Sequence, residues 1–161
     1  MKKIVGIDPG LAGTGIGVVL GENLNIHEYS FGSISTDAKD APQVRLSHIY
    51  SKTKAFLEQQ QPDLVVIEDI YSLEKYPGSG IMLGKVSGVL LLAAFKAGAQ
   101  IREVSVREVK KIVTGNGGAD KHQVERSVRN LLNHGSPIRP FHSSDALGLA
   151  ITGLYRYGKE G

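Results

Sequence analysis

The segment from residue 4 to residue 19 constrains the fold more than any other part of this sequence. Residues 4–7 are apolar or glycine, Asp8 follows them, Pro9-Gly10 forms a turn signal, and a second β-branched run occupies residues 16–19. This pattern predicts a hairpin of two strands with Asp8 at its edge. A carboxylate at the end of a buried strand is costly unless another group compensates for its desolvation. The chain therefore has to bring a partner to Asp8.

The next segments alternate between strand and helix patterns. Residues 25–32 alternate as a third strand, which would complete an antiparallel meander. Residues 43–60 carry apolar side chains at helical spacing and end before Gln61-Pro62-Asp63. Residues 64–67 are four aliphatics that lead into Glu68, the pattern of a central strand covered on both faces. Glu68 is thus placed at the carboxyl end of a strand, where α/β sheets bind ligands.

The second half of the chain adds one strand and several helices. Residues 71–80 read as a loop, and residues 81–97 as a helix that is apolar on more than one face. Burial within the fold and a dimer contact both explain such a helix. Residues 100–104 form a short strand, and the capping-box pattern of Ser105 and Glu108 opens the next helix. Two more helices follow, the last beginning near Ser143. The order βββαβαβαα, with a terminal helix, predicts one α/β domain over residues 1–161 with a mixed five-stranded sheet.

Composition limits the classes of protein. The chain has no cysteine, which excludes disulfides and thiolate metal sites and fits a reducing cytosol. No window has the roughly 18 apolar residues of a membrane span, and Asp8-Pro9-Gly10 interrupts any signal-peptide core. A cytoplasmic protein without membrane contact is expected. Residues 1–80 carry 7 Lys/Arg against 10 Asp/Glu, and residues 81–161 carry 12 against 6. This asymmetry fits an acidic cluster beside a basic binding surface, and equally a solvated surface with chance clustering.

Three acids and one histidine form a candidate site. Asp8 and Glu68 end strands, Asp145 lies in the first turn of the last helix, and His142 is three residues earlier, on the same face if that turn is helical. Converging carboxylates repel each other unless a hard divalent cation such as Mg²⁺ or Mn²⁺ joins them. Two such ions can activate water against a phosphodiester. Alternatives remain: Asp8 as a turn former, Asp145 as a helix-terminus acid, and His142 as a loop histidine.

Five blocks, in order over about residues 3–155, resemble the RuvC family of Holliday-junction resolvases. They are Gly6-Ile7-Asp8-Pro9-Gly10 with Thr14-Gly15, Pro62-Asp63 leading to Ile67-Glu68, Val109-Lys110 through Gly115, Lys121 to Val124, and Ser144-Asp145-Ala146-Leu147. The resemblance implies an RNase H-like fold and a homodimer that nicks two like strands of a four-way DNA junction. It leaves open whether a branch-migration complex is a partner.

The resemblance also assigns residues. Asp8, Glu68 and Asp145 match three of the family's four acidic ligands for Mg²⁺ or Mn²⁺, with two ions expected in each active site. His142 falls on the fourth position, which departs from the all-acid pattern of the best-known bacterial members. Imidazole binds Mn²⁺ readily and Mg²⁺ poorly. His142 is therefore expected either to bind one ion or to act as a general acid or base. Asp69 is expected to point to the opposite face of its strand.

The basic half supplies candidate DNA contacts. Lys110 and Lys121 match basic positions of the family that contact phosphates. Tyr71 falls where the family has an aromatic that stacks on bases, although a tyrosine in a loop equally fits a packing role. Plausible additions to this surface are Lys85, Arg107, Lys111 and Arg126. As isolated charges these residues are ordinary solvated side chains. A glycine-rich loop at residues 115–118 either approaches a phosphate or simply ends a helix.

Three other functions remain compatible with parts of the sequence. A YqgF-type nuclease shares the opening hairpin, and a junction-binding module would have lost cleavage through His142. An actin-like ATPase fragment also begins with Asp8-Pro9-Gly10 and Thr14-Gly15. That superfamily needs a second domain for nucleotide, for which 161 residues leave no space.

Overall fold

The computed structural model describes residues 1–70 and 77–160, with side chains from residue 80 onward in the second range. Within these residues one sheet is covered by helices on both faces. The strands are β1 (Lys2–Asp8), β2 (Gly13–Glu22), β3 (Asn25–Ser35), β4 (Leu64–Asp69) and β5 (Ile101–Ser105). The helices are α1 (Pro42–Gln60), α2 (Pro77–Lys96), α3 (Val106–Thr114), α4 (Lys121–Leu131) and α5 (Phe141–Tyr157).

The sheet has the order β3-β2-β1-β4-β5 and is mixed. The first three strands form the predicted antiparallel meander, and β4 pairs in parallel with both β1 and β5. The predicted mixed five-stranded sheet is therefore confirmed. Because β1, β4 and β5 run the same way, their carboxyl ends meet at one edge of the sheet, where Asp8 and Glu68 lie.

Side-chain alternation along the strands sorts the core into two layers. Val5, Ile7, Val65 and Ile67 pack with buried residues of α1 and α2 on one face. On the other face the even-numbered positions of β1 and β4, from Ile4 to Val66, pack with α3, α4 and α5. Successive side chains of a strand point to opposite faces. Asp8 and Glu68, at even positions, therefore point toward the layer formed by α3, α4 and α5.

Helix α5 approaches the sheet very closely because glycines line its path. A Cβ on Gly6 would lie 2.6 Å from the backbone nitrogen of Ala150, and a Cβ on Gly17 would lie 2.5 Å from that of Leu147. Neither distance is possible for a real side chain, so any other residue would push the helix away. The two glycines hold α5 against β1 and β2, which brings the start of α5 to the edge that carries Asp8.

Two predicted boundaries are wrong. The loop expected through residue 80 ends earlier, because α2 begins at Pro77; proline is tolerated at a first helical position, where its missing N–H has no helical acceptor. The rest of that expected loop, residues 71–76, lies outside the described residues. Helix α5 begins at Phe141 rather than near Ser143. No helix in the described part of the chain is both long and apolar enough to cross a membrane.

Candidate active site

Asp8 and Glu68 form a coupled pair at the edge of the sheet. Ile7 is in register with Ile67 on parallel strands, so the two acids follow at the next position, and their carboxyl groups are within hydrogen-bonding reach. Burial raises the pKa of Asp8 well above its usual value, and the charges of Glu68 and Asp145 raise it further. Burial also raises the pKa of Glu68, although its hydrogen bond with Asp8 acts in the opposite direction. The pair therefore retains a proton, held by Asp8, beyond the usual range of a carboxyl group.

The turn before β2 is fixed by a buried threonine. Thr14 is fully buried, and its hydroxyl donates a hydrogen bond of 2.8 Å to the carbonyl oxygen of Gly10. The amide of Thr36 donates to the carbonyl of Ala12, which ties the same turn to the end of β3. These bonds hold the chain immediately after Asp8, so the position of this carboxylate is set by the backbone around it.

Asp145 joins the pair from α5, but not as a helix-terminus acid. It is the fifth residue of α5, and the first turn of that helix contains no acid. The expected location in the first turn is therefore wrong, because the helix starts earlier than its sequence indicated. Burial raises the pKa of Asp145 to about 6, and the nearby Lys110 ammonium opposes that rise. The charge of Asp145 raises the pKa values of Asp8 and Glu68, so the three acids form one electrostatic cluster.

A cavity of about 170 Å³ places two lysines beside these acids. Glu68 and Asp145 line it together with Lys110 of α3 and Lys121 of α4. The other walls are apolar: Val106, Val109, Val124 and Leu149. Lys110 lowers the pKa of Glu68 as well as that of Asp145. Two positive groups and two negative ones thus line one small cavity, and a phosphate entering it would meet the lysines.

Helix caps set the positions of both lysines. The Ser105 hydroxyl accepts a hydrogen bond of 3.2 Å from the amide of Glu108, so the Ser105 half of the predicted capping box of α3 is present. Asp120 and Gln123 form a full capping box, each side chain bonded to the other's backbone amide at 2.8 and 2.9 Å. Lys121 is the first residue of that helix, and its backbone is therefore fixed where it enters the cavity wall.

His142 lies at the same edge, packed against the start of β2. A Cβ on Gly13 would lie 2.9 Å from Cε1 and 3.0 Å from Nε2 of the imidazole, so any other residue at position 13 would displace the ring. Burial lowers the pKa of His142, which keeps the ring neutral at pH 7. Its Nε2 atom is buried without a hydrogen-bond partner. A buried, unpaired ring nitrogen is costly, and this one is free to accept a ligand or a proton.

The donor set suits a hard divalent cation, although no complete cage is present. Among residues 1–70 and 77–160, no three His, Asp or Glu side chains are arranged closely enough to surround one ion. Asp8 and Glu68 are nevertheless adjacent, and the charge of Asp145 is felt by both. Burial first, and the neighbouring negative charges second, raise their pKa values, and a bound cation would offset both effects. Oxygen donors of this kind are those that Mg²⁺ and Mn²⁺ prefer.

The remaining predicted DNA contacts are distributed around this edge. Arg107 and Lys111 are exposed on α3, and the Arg107 side chain covers Gly117 in the loop between α3 and α4. Lys85 is exposed on α2, on the opposite face of the sheet from Lys110. Tyr71 lies outside the described residues. The structure thus brings together Asp8, Glu68, Asp145, Lys110 and Lys121, with His142 nearby and Lys85 apart.

Asp69 follows Glu68 on β4 but lies on the other side of the sheet. Asp69 lines a different cavity, with Ile70 and Gly84, on the α2 side; the expectation that it faces away from the cluster is confirmed.

Phe141 was not predicted from the sequence as a residue of this site. Its ring contacts Lys121, Arg139 and His122 at the start of α5. The available signal was an aromatic directly before His142, in a segment that also carries Arg139.

Fold and site together define a class. Carboxylates cluster at the carboxyl edge of an α/β sheet, beside lysines that can contact a phosphate. This combination is typical of enzymes that hydrolyse phosphodiesters with the help of a metal ion.

The comparisons with known proteins narrow this class to one family. The family model "Crossover junction endodeoxyribonuclease RuvC" matches residues 4–153. The RuvC protein of Brevibacillus brevis is 37% identical over 150 residues, covering 93% of this chain and 90% of its own length. That of Vibrio atlanticus is 38% identical over 153 residues, covering 94% and 86%. This chain belongs to the RuvC family of crossover junction endodeoxyribonucleases.

Similarity to solved structures supports the same family. The Thermus thermophilus RuvC structure in complex with Holliday junction substrate superposes with a TM-score of 0.90 at 28% identity, covering 100% of this chain and 97% of that chain. A second Thermus thermophilus RuvC structure gives a TM-score of 0.81. The predicted RNase H-like fold is confirmed. Family membership also removes the YqgF-type and actin-like alternatives.

Proposed function

We propose that this protein resolves four-way DNA junctions by nicking two like strands in a reaction that depends on a divalent metal. The cavity lined by Glu68, Asp145, Lys110 and Lys121 carries the proposal, because it combines metal-binding oxygens with cations for a phosphate. Support also comes from the relatives, which are crossover junction endodeoxyribonucleases, and from the Thermus thermophilus RuvC, solved with a Holliday junction substrate.

Asp8, Glu68 and Asp145 are the proposed metal ligands. Mg²⁺ or Mn²⁺ bound there, with two ions in each active site, would supply Lewis acidity and lower the pKa of a bound water. The carboxylates have to be ionised to bind a cation, so Asp8 must release the proton that its burial and neighbours favour. Lys110 assists by favouring the ionised forms of Glu68 and Asp145.

His142 has a proposed role as a metal ligand or as a proton acceptor. Its ring is neutral near pH 7, and its buried Nε2 has no partner within the fold. Such a nitrogen can accept a proton from water or bind Mn²⁺. The packing of the ring against Gly13 limits its rotation and therefore keeps the imidazole at the edge of the sheet.

Lys110 and Lys121 are the proposed central phosphate contacts, since both line the cavity with the acids. Arg107 and Lys111 extend the positive surface along α3, and Lys85 contributes from α2. Each contact of this kind should steepen the salt dependence of DNA binding by about one counterion. Tyr71 is proposed to stack on a base, which would contribute roughly 1–3 kcal/mol.

A homodimer through α2 is part of the proposal. Helix α2 buries Val86 and Leu90 in the core, yet Ile81, Leu92 and Phe95 on its outer side are 66%, 48% and 70% exposed. Apolar residues at this spacing form one stripe of a helix, and a stripe of this kind fits a self-complementary contact. Two copies of a single nuclease domain, residues 1–161, would provide the two active sites that paired nicks require.

Cleavage of synthetic DNA tests the proposed function. The protein is incubated with a four-way junction and with linear duplex, in Mg²⁺, Mn²⁺ or EDTA. Paired nicks in the junction alone, dependent on metal, support resolution. Binding of the junction without cuts would indicate a junction-binding module, and equal cleavage of linear duplex would indicate a nuclease of different selectivity.

A further inference from the structure

Phe141 is the centre of a group of charged side chains at the start of α5. The Lys121 ammonium lies 5.1 Å from the centroid of its ring, and the Arg139 guanidinium carbon lies 4.1 Å from it. The His122 ring meets it edge-on, with 5.1 Å between centroids and an angle of 85°. Both cations are within the distance at which the negative face of an aromatic ring attracts a positive charge.

The contacts around Phe141 return to the helix that carries Lys121. Arg139 also reaches the carboxylate of Glu125, with 3.7 Å between Nη1 and Oε1. Glu125 is only 2% exposed, and Arg129 pairs with the same oxygen at 3.1 Å. Lys121 and Glu125 are four residues apart on α4 and therefore share a face. Arg139 thus links one face of α4 to Phe141, the first residue of α5.

This arrangement matters because Lys121 and Asp145 line the same cavity from different helices. Phe141 is one turn before Asp145 and directly precedes His142, so its ring belongs to the segment that presents both groups. A free lysine on a helix surface samples many rotamers, and holding its ammonium in one place costs side-chain entropy. An aromatic face beneath the ammonium favours the rotamers that keep it at the cavity.

We propose that Phe141 is a positioning residue that holds the Lys121 ammonium at the active-site cavity, where a junction phosphate would meet it. The inference rests on the proposed function and adds to it a residue outside the acidic cluster. Phe141 acts through Lys121, so it does not itself touch the reacting atoms. Arg139, anchored by Glu125, keeps the ring in place.

The test is a double-mutant cycle of junction affinity in EDTA, so that metal binding and cleavage do not contribute. The proteins are wild type, Phe141→Leu, Lys121→Gln and the double variant, with Phe141→Tyr as the conservative replacement. We expect Phe141→Leu to weaken binding about two- to fivefold, the range of a partly exposed cation–π contact. Phe141→Tyr should bind as wild type. In the Lys121→Gln background, Phe141→Leu should have no further effect.

A matched control is available at the other end of the same helix. Tyr157 also lies beneath two cations, with Arg102 and Arg156 at 5.6 and 5.8 Å from its ring centroid. It is about 24 Å along α5 from Phe141. Tyr157→Leu removes an equivalent ring without touching Lys121, and should leave junction affinity unchanged. Thermal unfolding of each variant identifies loss of fold; if Phe141→Leu is unfolded at the assay temperature, Phe141→Met takes its place in the cycle.

Two results would overturn the inference: wild-type affinity in Phe141→Leu, or the same loss from that change whether residue 121 is Lys or Gln. Equal losses in Phe141→Leu and Phe141→Tyr would also count against a role for the aromatic face. These outcomes are distinct from failure of the proposed function, which would appear as a wild-type protein that neither binds nor cleaves the junction.

Discussion

Asp8 and Glu68 lie side by side at the ends of two parallel strands, with their carboxyl groups close enough to share a hydrogen bond. The ionised pair destabilises the fold, because burial and mutual repulsion both oppose the ionisation of these carboxyl groups. Such a pair is strained at neutral pH until a cation or a proton joins it. The fold tolerates this cost at the edge of the sheet, where the charge of a third acid, Asp145, acts on both groups.

This cost should be visible as pH-dependent stability. Both pKa values are raised in the folded state, so the stability they confer is complete below their unfolded values and is lost as pH rises through the folded ones. In EDTA, the free energy of unfolding of wild type should therefore fall as pH rises above 3.8 and 4.5, the usual pKa values of these two groups. Asp8→Asn should remove part of that fall, because the amide that replaces the carboxyl group cannot ionise. Urea denaturation of both proteins measures the difference; an identical fall in wild type and variant would contradict the coupling.

Lys110 should tune the acids as well as bind DNA. It lowers the pKa values of Glu68 and Asp145, and the pKa of Asp145 is about 6 in its presence. Lys110→Gln should raise both pKa values, which moves the acidic limb of the pH–rate profile for junction cleavage to higher pH. Lys111→Gln is the matched control, because Lys111 is exposed on the same helix and outside the cavity lining. The control should weaken binding without moving the limb. Equal shifts in both variants would argue against the assignment.

His142 can be tested by exchange with a carboxylate, the residue type that the resemblance implies at this position. His142→Ala should lose most cleavage in both Mg²⁺ and Mn²⁺, because the unpaired Nε2 is removed. His142→Asp should keep activity with Mg²⁺, since a carboxylate suits that ion better than imidazole. Single-turnover cleavage rates in each metal are the measurement. Full cleavage by His142→Ala in both metals would show that His142 takes no part.

The central acids were predictable because short-range patterns position them. A strand of four aliphatics can end in an acid only at its rim, and alternation then decides which face Asp8, Glu68 and Asp69 occupy. Contacts between distant elements were not predictable in this way. Lys110 was expected to meet phosphates, but its influence on Glu68 and Asp145 depends on how α3 docks beside α5.

The start of α5 was misplaced for a related reason. Its first residues include Ser143 and Ser144, which are typical of a helix cap, so the sequence favoured a start near Ser143. In the fold the hydroxyl of Ser144 bonds to the carbonyl of Phe141, and that of Ser143 bonds to the carbonyl of Gly32 on β3. Both hydroxyls thus form hydrogen bonds from positions within the helix, and neither caps its N-terminus. The two additional residues place Asp145 in the second turn and Phe141 beside Lys121.

The exposed stripe of α2 should form the dimer contact. Leu92→Glu combined with Phe95→Glu places charges on two of its most exposed apolar positions and should convert the protein to a monomer at micromolar concentration. Leu24→Glu is the control, because Leu24 is 65% exposed but lies in the turn between β2 and β3. Analytical ultracentrifugation distinguishes the species. A wild-type monomer at micromolar concentration would contradict the proposed dimer.

The most direct test of the acidic centre compares Asp8→Asn with Asp69→Asn on one substrate. A four-way junction labelled in turn on each strand is cleaved in Mg²⁺ or Mn²⁺, and the affinity of each protein for it is measured separately in EDTA. Wild type and Asp69→Asn, whose side chain faces the α2 layer, should nick two like strands. Asp8→Asn should bind the junction as wild type but cleave it at least about 100-fold more slowly, because metal-dependent chemistry requires its carboxylate. Cleavage by Asp8→Asn at the wild-type rate would contradict the account.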